Sequence, residues 1–226
     1  MAPNDQDQTL MEFLNILDRE SSVLSYTEGS EVPDLLRSLS REIEKRDAVP
    51  VIKIIWNENE LPDEDGTGNV TSFHLFKNFT TTMIRIGKLL SGEKHLVVLS
   101  DLSSLEQLEN NRPYIHFLSV LLRKCEKYES TVLTTMNDEY TCMSVRTDLI
   151  PFFNNLFMLE KGKRIKEAKD GAIDLRYTID EDRLVLEPYM QSDMNKIKEI
   201  FSLTPEEKKE LDRIVGQSLE EYRTSM

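Results

Sequence analysis

Glycine is scarce in this chain. There are 8 in 226 residues, and no Gly-Lys pair is followed by Ser or Thr. A loop that wraps phosphates with backbone N–H groups needs clustered glycines and that lysine and hydroxyl, so the usual nucleotide cradle is missing. Cysteine is rarer still. Cys125 and Cys142 are too few for a disulfide framework, and no CxxC pair exists. The three histidines, His74, His95 and His116, stand on separate segments without zinc-ligand spacing, so no metal is expected. Long apolar runs are absent, and the start, MAPNDQDQ, has no basic region leading into an apolar core. The expectation is a cytoplasmic protein without membrane contact. Positive charge is short as well: 28 Lys and Arg face 41 Asp and Glu, a net charge of −13. Such a balance repels phosphate backbones and argues against nucleic acid as a partner. The basic stretch KGKRIKEAK (Lys161–Lys169) includes a glutamate and reads as a solvated hairpin or loop.

What is present is periodic. Hydrophobic residues make up 39% of the chain, enough for one α/β domain with a buried core. After a polar start at 1–8, Leu10, Phe13, Leu14 and Leu17 form one face of a short helix. Ser22–Tyr26 reads as the first strand. A turn at Thr27-Glu28-Gly29-Ser30 follows, with Ser30 as helix cap and Pro33 in the first turn. Leu35, Leu36, Leu39 and Ile43 are that helix's buried stripe. Val49–Trp56 is β-branched and nearly continuous, as a strand covered on both faces should be. Asn57–Val70 carries Pro62, Gly66, Gly68 and the carboxylates Glu58, Glu60, Asp63, Glu64 and Asp65, and reads as a long acidic loop. Its Asp63–Gly66 segment lacks the spacing of a calcium loop. Thr71-Ser72 then reads as the cap of a helix with stripe Phe73, Phe76, Phe79, Met83, Ile86 and Leu90.

His95–Leu99 reads as a fully buried strand at the sheet centre, ending in the polar turn Ser100-Asp101. Pro113 opens a helix with Ile115, Leu118, Leu121, Leu122 and Cys125 on one face. Thr131–Thr135 is the next strand, running into Met136-Asn137. A short helix or turn at Val145–Phe153 precedes the strand Asn155–Glu160. Ile173–Tyr177 and Arg183–Glu187 form a hairpin. From Met194 the chain reads as helical, and Thr204-Pro205-Glu206-Glu207 is a capping box. The C-terminal stripe Leu211, Ile214, Val215 and Leu219 needs an apolar cover, from the sheet domain or from another chain. Ser100, Asp101, Ser103 and Ser104 beside His95 or His116 lack the elbow and base of a nucleophile. Alternating strands and helices predict an α/β fold with a mainly parallel sheet flanked by helices. A C-terminal hairpin and a helical appendage complete it, with residues 1–190 as domain and 191–226 as appendage.

That order, with LVVLSDLSSLEQL (Leu96–Leu108), resembles the RecA superfamily, and within it the KaiC-like ATPase domains common in archaea, over about Leu10–Tyr189. Pro113–Asn137 is similar to the family's following helix and sensor-type strand, and NNLFMLE with the hairpin to its late strands. The resemblance implies a phosphate-binding loop after the first strand, a magnesium-associated aspartate at the end of the central strand, and a base near Glu58 or Glu60. Here the first position holds TEGSEVPDLL (Thr27–Leu36), with one glycine and the carboxylates Glu28, Glu31 and Asp34. Aligning the LSSL turn puts Ser100 where the aspartate stands and Asp101 one residue late, and a one-residue shift turns a side chain to the other face. The expectation is a degenerate nucleotide site built of Glu28, Gly29, Ser30, Ser100, Asp101 and Asn137, with no cofactor and no catalysis. Such a domain would act through a protein partner or self-association. The alternatives are a nucleotide sensor or enzyme using Glu28, Asp101 and Asn137, or a nucleic-acid-associated accessory protein.

Overall fold

The computed structural model describes residues 5–27, 31–47, 49–56, 70–75, 79–108, 110–160, 163–168, 173–180 and 183–189. Helix α1 (Asp5–Arg19) leads into strand β1 (Ser22–Tyr26), then α2 (Val32–Asp47), β2 (Val51–Ile55) and β3 (Val70–His74). Next come α3 (Phe79–Leu90), β4 (Leu96–Leu99), a 3-10 turn at Leu102–Gln107, α4 (Arg112–Lys127) and β5 (Thr131–Asn137). α5 (Met143–Asp148) and a 3-10 turn at Ile150–Phe152 precede β6 (Asn155–Glu160), β7 (Arg164–Glu167), β8 (Asp174–Asp180) and β9 (Arg183–Pro188).

The strands form one nine-stranded sheet in the order β3-β2-β4-β5-β1-β6-β7-β8-β9. The pairs from β3 to β6 are parallel. β7 turns back antiparallel on β6, and β8 on β7. The parallel strands are covered on both faces, which is why β2, β4 and β5 are buried throughout. On one face lie α1 and α2, which press Phe13, Leu14, Leu17, Leu35, Leu39 and Ile43 against Leu24, Val98, Leu133 and Phe157. The rings of Phe13 and Phe157 meet edge to face at 5.2 Å. On the other face α3 and α4 bring Ile86, Leu90, Leu118, Leu121 and Cys125 onto Val23, Ile52, Val97 and Val132. The stripes expected from the periodicity in α1, α2 and α4 are therefore the faces turned to the core.

Two expectations need correction, at β3 and at the start of α1. Val70–His74 is a strand and α3 begins only at Phe79. The spacing by three of Phe73, Phe76 and Phe79 imitated a helical stripe, but around Phe73 burial follows a period of two. Val70 packs with the α1–α2 layer and Phe73 with the α3–α4 layer. β4 is buried as expected and is one of the two central strands of the six-stranded parallel part, while β1 occupies the middle of all nine. The basic stretch takes the hairpin form expected of it, since Arg164–Glu167 is β7 and pairs antiparallel with β6, but its Ile165 is fully buried. Two of its cations are ion-paired, Lys163 to Glu31 (3.1 Å) and Arg164 to Glu160 and Asp174. Helix α1 also starts earlier than expected, at Asp5. The helices expected after residue 190, with Leu211, Ile214, Val215 and Leu219, lie outside the described residues.

Candidate functional site

In an open parallel sheet a ligand crevice forms at the carboxyl ends of adjacent strands whose connections leave to opposite sides. Here those strands are β1 and β5. From β1 the chain passes through α2 toward β2, on one side, and from β5 through α5 toward β6, on the other. Tyr26 and Asn137 are register partners at this point.

Asn137 is buried at this edge. Its Nδ2 donates to the Thr27 carbonyl at 3.3 Å. Its Oδ1 accepts from the backbone N–H groups of Glu139 and Tyr140 at 2.9 and 3.2 Å, which is an asparagine folding its own turn. The Asp138 N–H donates to the Tyr26 carbonyl at 2.8 Å. Arg146, from α5, donates to the Asp138 and Thr141 carbonyls and braces the loop from behind.

One strand over, β4 ends in Ser100 and Asp101. Asp101 caps the following 3-10 turn: its Oδ1 accepts from the Ser103 N–H at 2.8 Å and also from the Ser103 hydroxyl. Its Oδ2 accepts from the Thr135 hydroxyl of β5 at 2.6 Å. Ser104 donates to the Asp101 carbonyl at 2.6 Å and accepts from the Trp56 indole N–H at 2.9 Å, which ties the end of β2 to the same turn. The Thr134 hydroxyl donates to the Ser100 carbonyl at 3.1 Å. In contrast, the Ser100 hydroxyl is buried and has no hydrogen-bond partner among the described residues, and the same holds for Ser25 on β1.

Asp101 and Asn137 are thus anchored in separate hydrogen-bond sets along β5, through Thr135 and through Asn137 itself. Thr135 and Trp56 were not read from the sequence as part of this edge. The available signal was the pair Thr134-Thr135 ending an otherwise apolar buried strand, where side-chain hydroxyls need partners. Glu28, Gly29, Ser30, Glu58 and Glu60 lie outside the described residues. The acidic start of α2 is partly neutralised, because Glu31 pairs with Lys163 and Asp34 with Arg37 at 2.9 Å. A cavity of about 260 Å³ lies among these four side chains. Nearby, burial and then the Glu31 charge push the Tyr177 hydroxyl above its ordinary pKa. Among the described residues no cluster of three His, Cys, Asp or Glu could hold a metal, and no helix is long and apolar enough to cross a membrane.

A mostly parallel sheet covered by helices on both faces, extended at one edge by antiparallel strands, is consistent with a RecA-like fold. The solved structure of a KaiC-like protein from the hyperthermophilic archaeon Pyrococcus horikoshii OT3 matches at a TM-score of 0.52 and 10% identity, over 75% of this chain and 89% of that one. At that identity the likeness is one of fold. No family model and no curated protein matches the chain.

Proposed function

We propose that this chain is a noncatalytic KaiC-like domain that works by binding another protein, with a degenerate nucleotide site at its strand ends. The observation that carries the reading is the engagement of Asp101. An ionised carboxylate has about four acceptor sites, and in Asp101 three are taken within the protein, by the Ser103 N–H, the Ser103 hydroxyl and the Thr135 hydroxyl, so it is held as a turn cap. The sequence supports the same reading, since Thr27–Leu36 offers one glycine and no lysine to a triphosphate. Removing the cradle removes turnover but leaves the sheet scaffold and its surfaces. The acidic loop 57–69 and the stripe Leu211, Ile214, Val215 and Leu219 are the proposed contact elements. Titration calorimetry with ATP and magnesium is the test. No binding heat is expected, and a micromolar dissociation constant would sink the proposal.

The partnerless Ser100 hydroxyl favours one second reading, a sensor that binds a nucleotide or small ligand at the strand ends. A thermal-shift panel separates the two. A ligand at a hundred times its dissociation constant adds about 2.7 kcal/mol of stability, and a binding module without such a site gains none.

A further inference from the structure

We infer that the groove between α4 and the α5 segment is a docking site for an acidic peptide segment with an apolar anchor. Arg37, Lys45, Lys94, Arg146, Lys163 and Arg164 sit within ion-pair distance of a carboxylate, whereas Arg112 and Arg123 are left to face one groove. Both are exposed and neither has a carboxylate partner among the described residues.

These two arginines share one face of α4. They are eleven residues apart, three helical turns and about 16 Å, with His116 between them. All three line a cavity of about 760 Å³ whose opposite wall is α5 and the turn after it. Ile115 and Phe152 give it an apolar floor, and the Arg123 guanidinium is held over the Phe152 ring at 5.2 Å from its centre. Asp148 is the one carboxylate in the lining, and it accepts from the Thr147 hydroxyl at 3.0 Å.

Cations at both ends, an apolar centre and a single carboxylate on one wall match a segment that spaces its charges. A peptide with acidic residues flanking one apolar side chain can meet both arginines and avoid Asp148. A nucleic-acid backbone, with a charge at every step, cannot avoid it. This surface shares no residue with the strand-end site and stands whether or not a nucleotide binds there.

The test is fluorescence anisotropy on the full chain, with a labelled glutamate-rich peptide carrying a central Leu-Phe pair. Saturable binding that weakens with added salt is expected. Arg112→Glu with Arg123→Glu should weaken it at least about tenfold, or about 1.4 kcal/mol, with an unchanged melting temperature. Arg112→Lys with Arg123→Lys, which keeps the charge and serves as the folding control, should retain most of it. The inference is overturned by absence of binding, by equal binding to the glutamate-reversed protein, by equal binding of a peptide with glutamine in place of glutamate, or by equal competition from a single-stranded oligonucleotide of the same charge.

Discussion

Asp101 and Thr135 should be coupled in folding. Thr135 is 4% exposed and Asp101 9%, so neither group has water as an adequate substitute partner. Replacing Thr135 by Val keeps the shape and deletes one donor to the carboxylate, and a hydrogen bond to a charged group is worth about 1.5–3 kcal/mol. Asp101→Ala does two things. It removes the cap on the Ser103 N–H, at about 1 kcal/mol, and it leaves the buried Thr135 hydroxyl unpaired, at about 1–3 kcal/mol. The expected loss for Asp101→Ala is therefore about 2–4 kcal/mol. The double variant has no stranded hydroxyl, so its loss should fall short of the sum of the single losses by about 1–2 kcal/mol. Urea unfolding followed by circular dichroism gives all four stabilities, provided the slope is unchanged between variants. Losses that add to within about 0.5 kcal/mol would refute the pairing. An Asp101→Ala protein as stable as the parent, or more so, would point the other way, to a carboxylate retained at a cost to stability for the sake of a ligand.

Three further outcomes are expected. Ser25→Ala removes a buried hydroxyl that has no partner, so it should raise stability by about 1 kcal/mol, a gain of about 2–4 °C in melting temperature; Ser22→Ala, whose hydroxyl donates to the Glu20 carbonyl at 3.0 Å, should lower it. The Arg164 hydrogen bonds hold the Asp174 carboxyl below its ordinary 3.8. The stability this gives is present above that ordinary value and is lost as pH falls through the lower folded value. The melting-temperature gap between wild type and Arg164→Met should therefore be wide at neutral pH and close in acid, and a gap independent of pH would contradict the pairing. Burial pushes the Cys125 thiol up to about 12, while Cys142 is partly exposed; at mildly alkaline pH a thiol reagent should titrate one cysteine in the native protein and two in denaturant.

The parallel core was legible in the sequence because strands covered on both faces are written as short β-branched runs, such as Val51–Ile55 and Leu96–Leu99. The helices between them show their buried faces by periodicity. β3 was not legible, because an edge strand of five residues has too few alternations to outweigh three phenylalanines at helical spacing. At the strand ends, Asp101 stood out as an acid closing a buried strand. Its partner Thr135 did not, because the two residues meet only when β4 and β5 pair, 34 positions apart in the chain. The α4–α5 groove left still less trace. Arg112 and Arg123 are ordinary surface residues in one dimension, and the groove they share appears only when α5 packs beside α4.

The placement of β1 has a consequence for biosynthesis. This strand occupies the middle of the sheet, yet it emerges from the ribosome before either neighbour. Ser22 pairs with Leu133 on one side and Asn155 on the other, and the Ser21 hydroxyl accepts from an N–H that lies 111 residues downstream. At about 5–20 residues per second, its first partner appears roughly 5–20 s later, and the second several seconds after that. Through that interval Val23 and Leu24 have no sheet to enter, and α1 and α2 offer cover to Leu24 alone, since Val23 faces the other layer. The nascent chain is therefore exposed to mispairing at its own centre, and the two early helices do their first service before the fold exists.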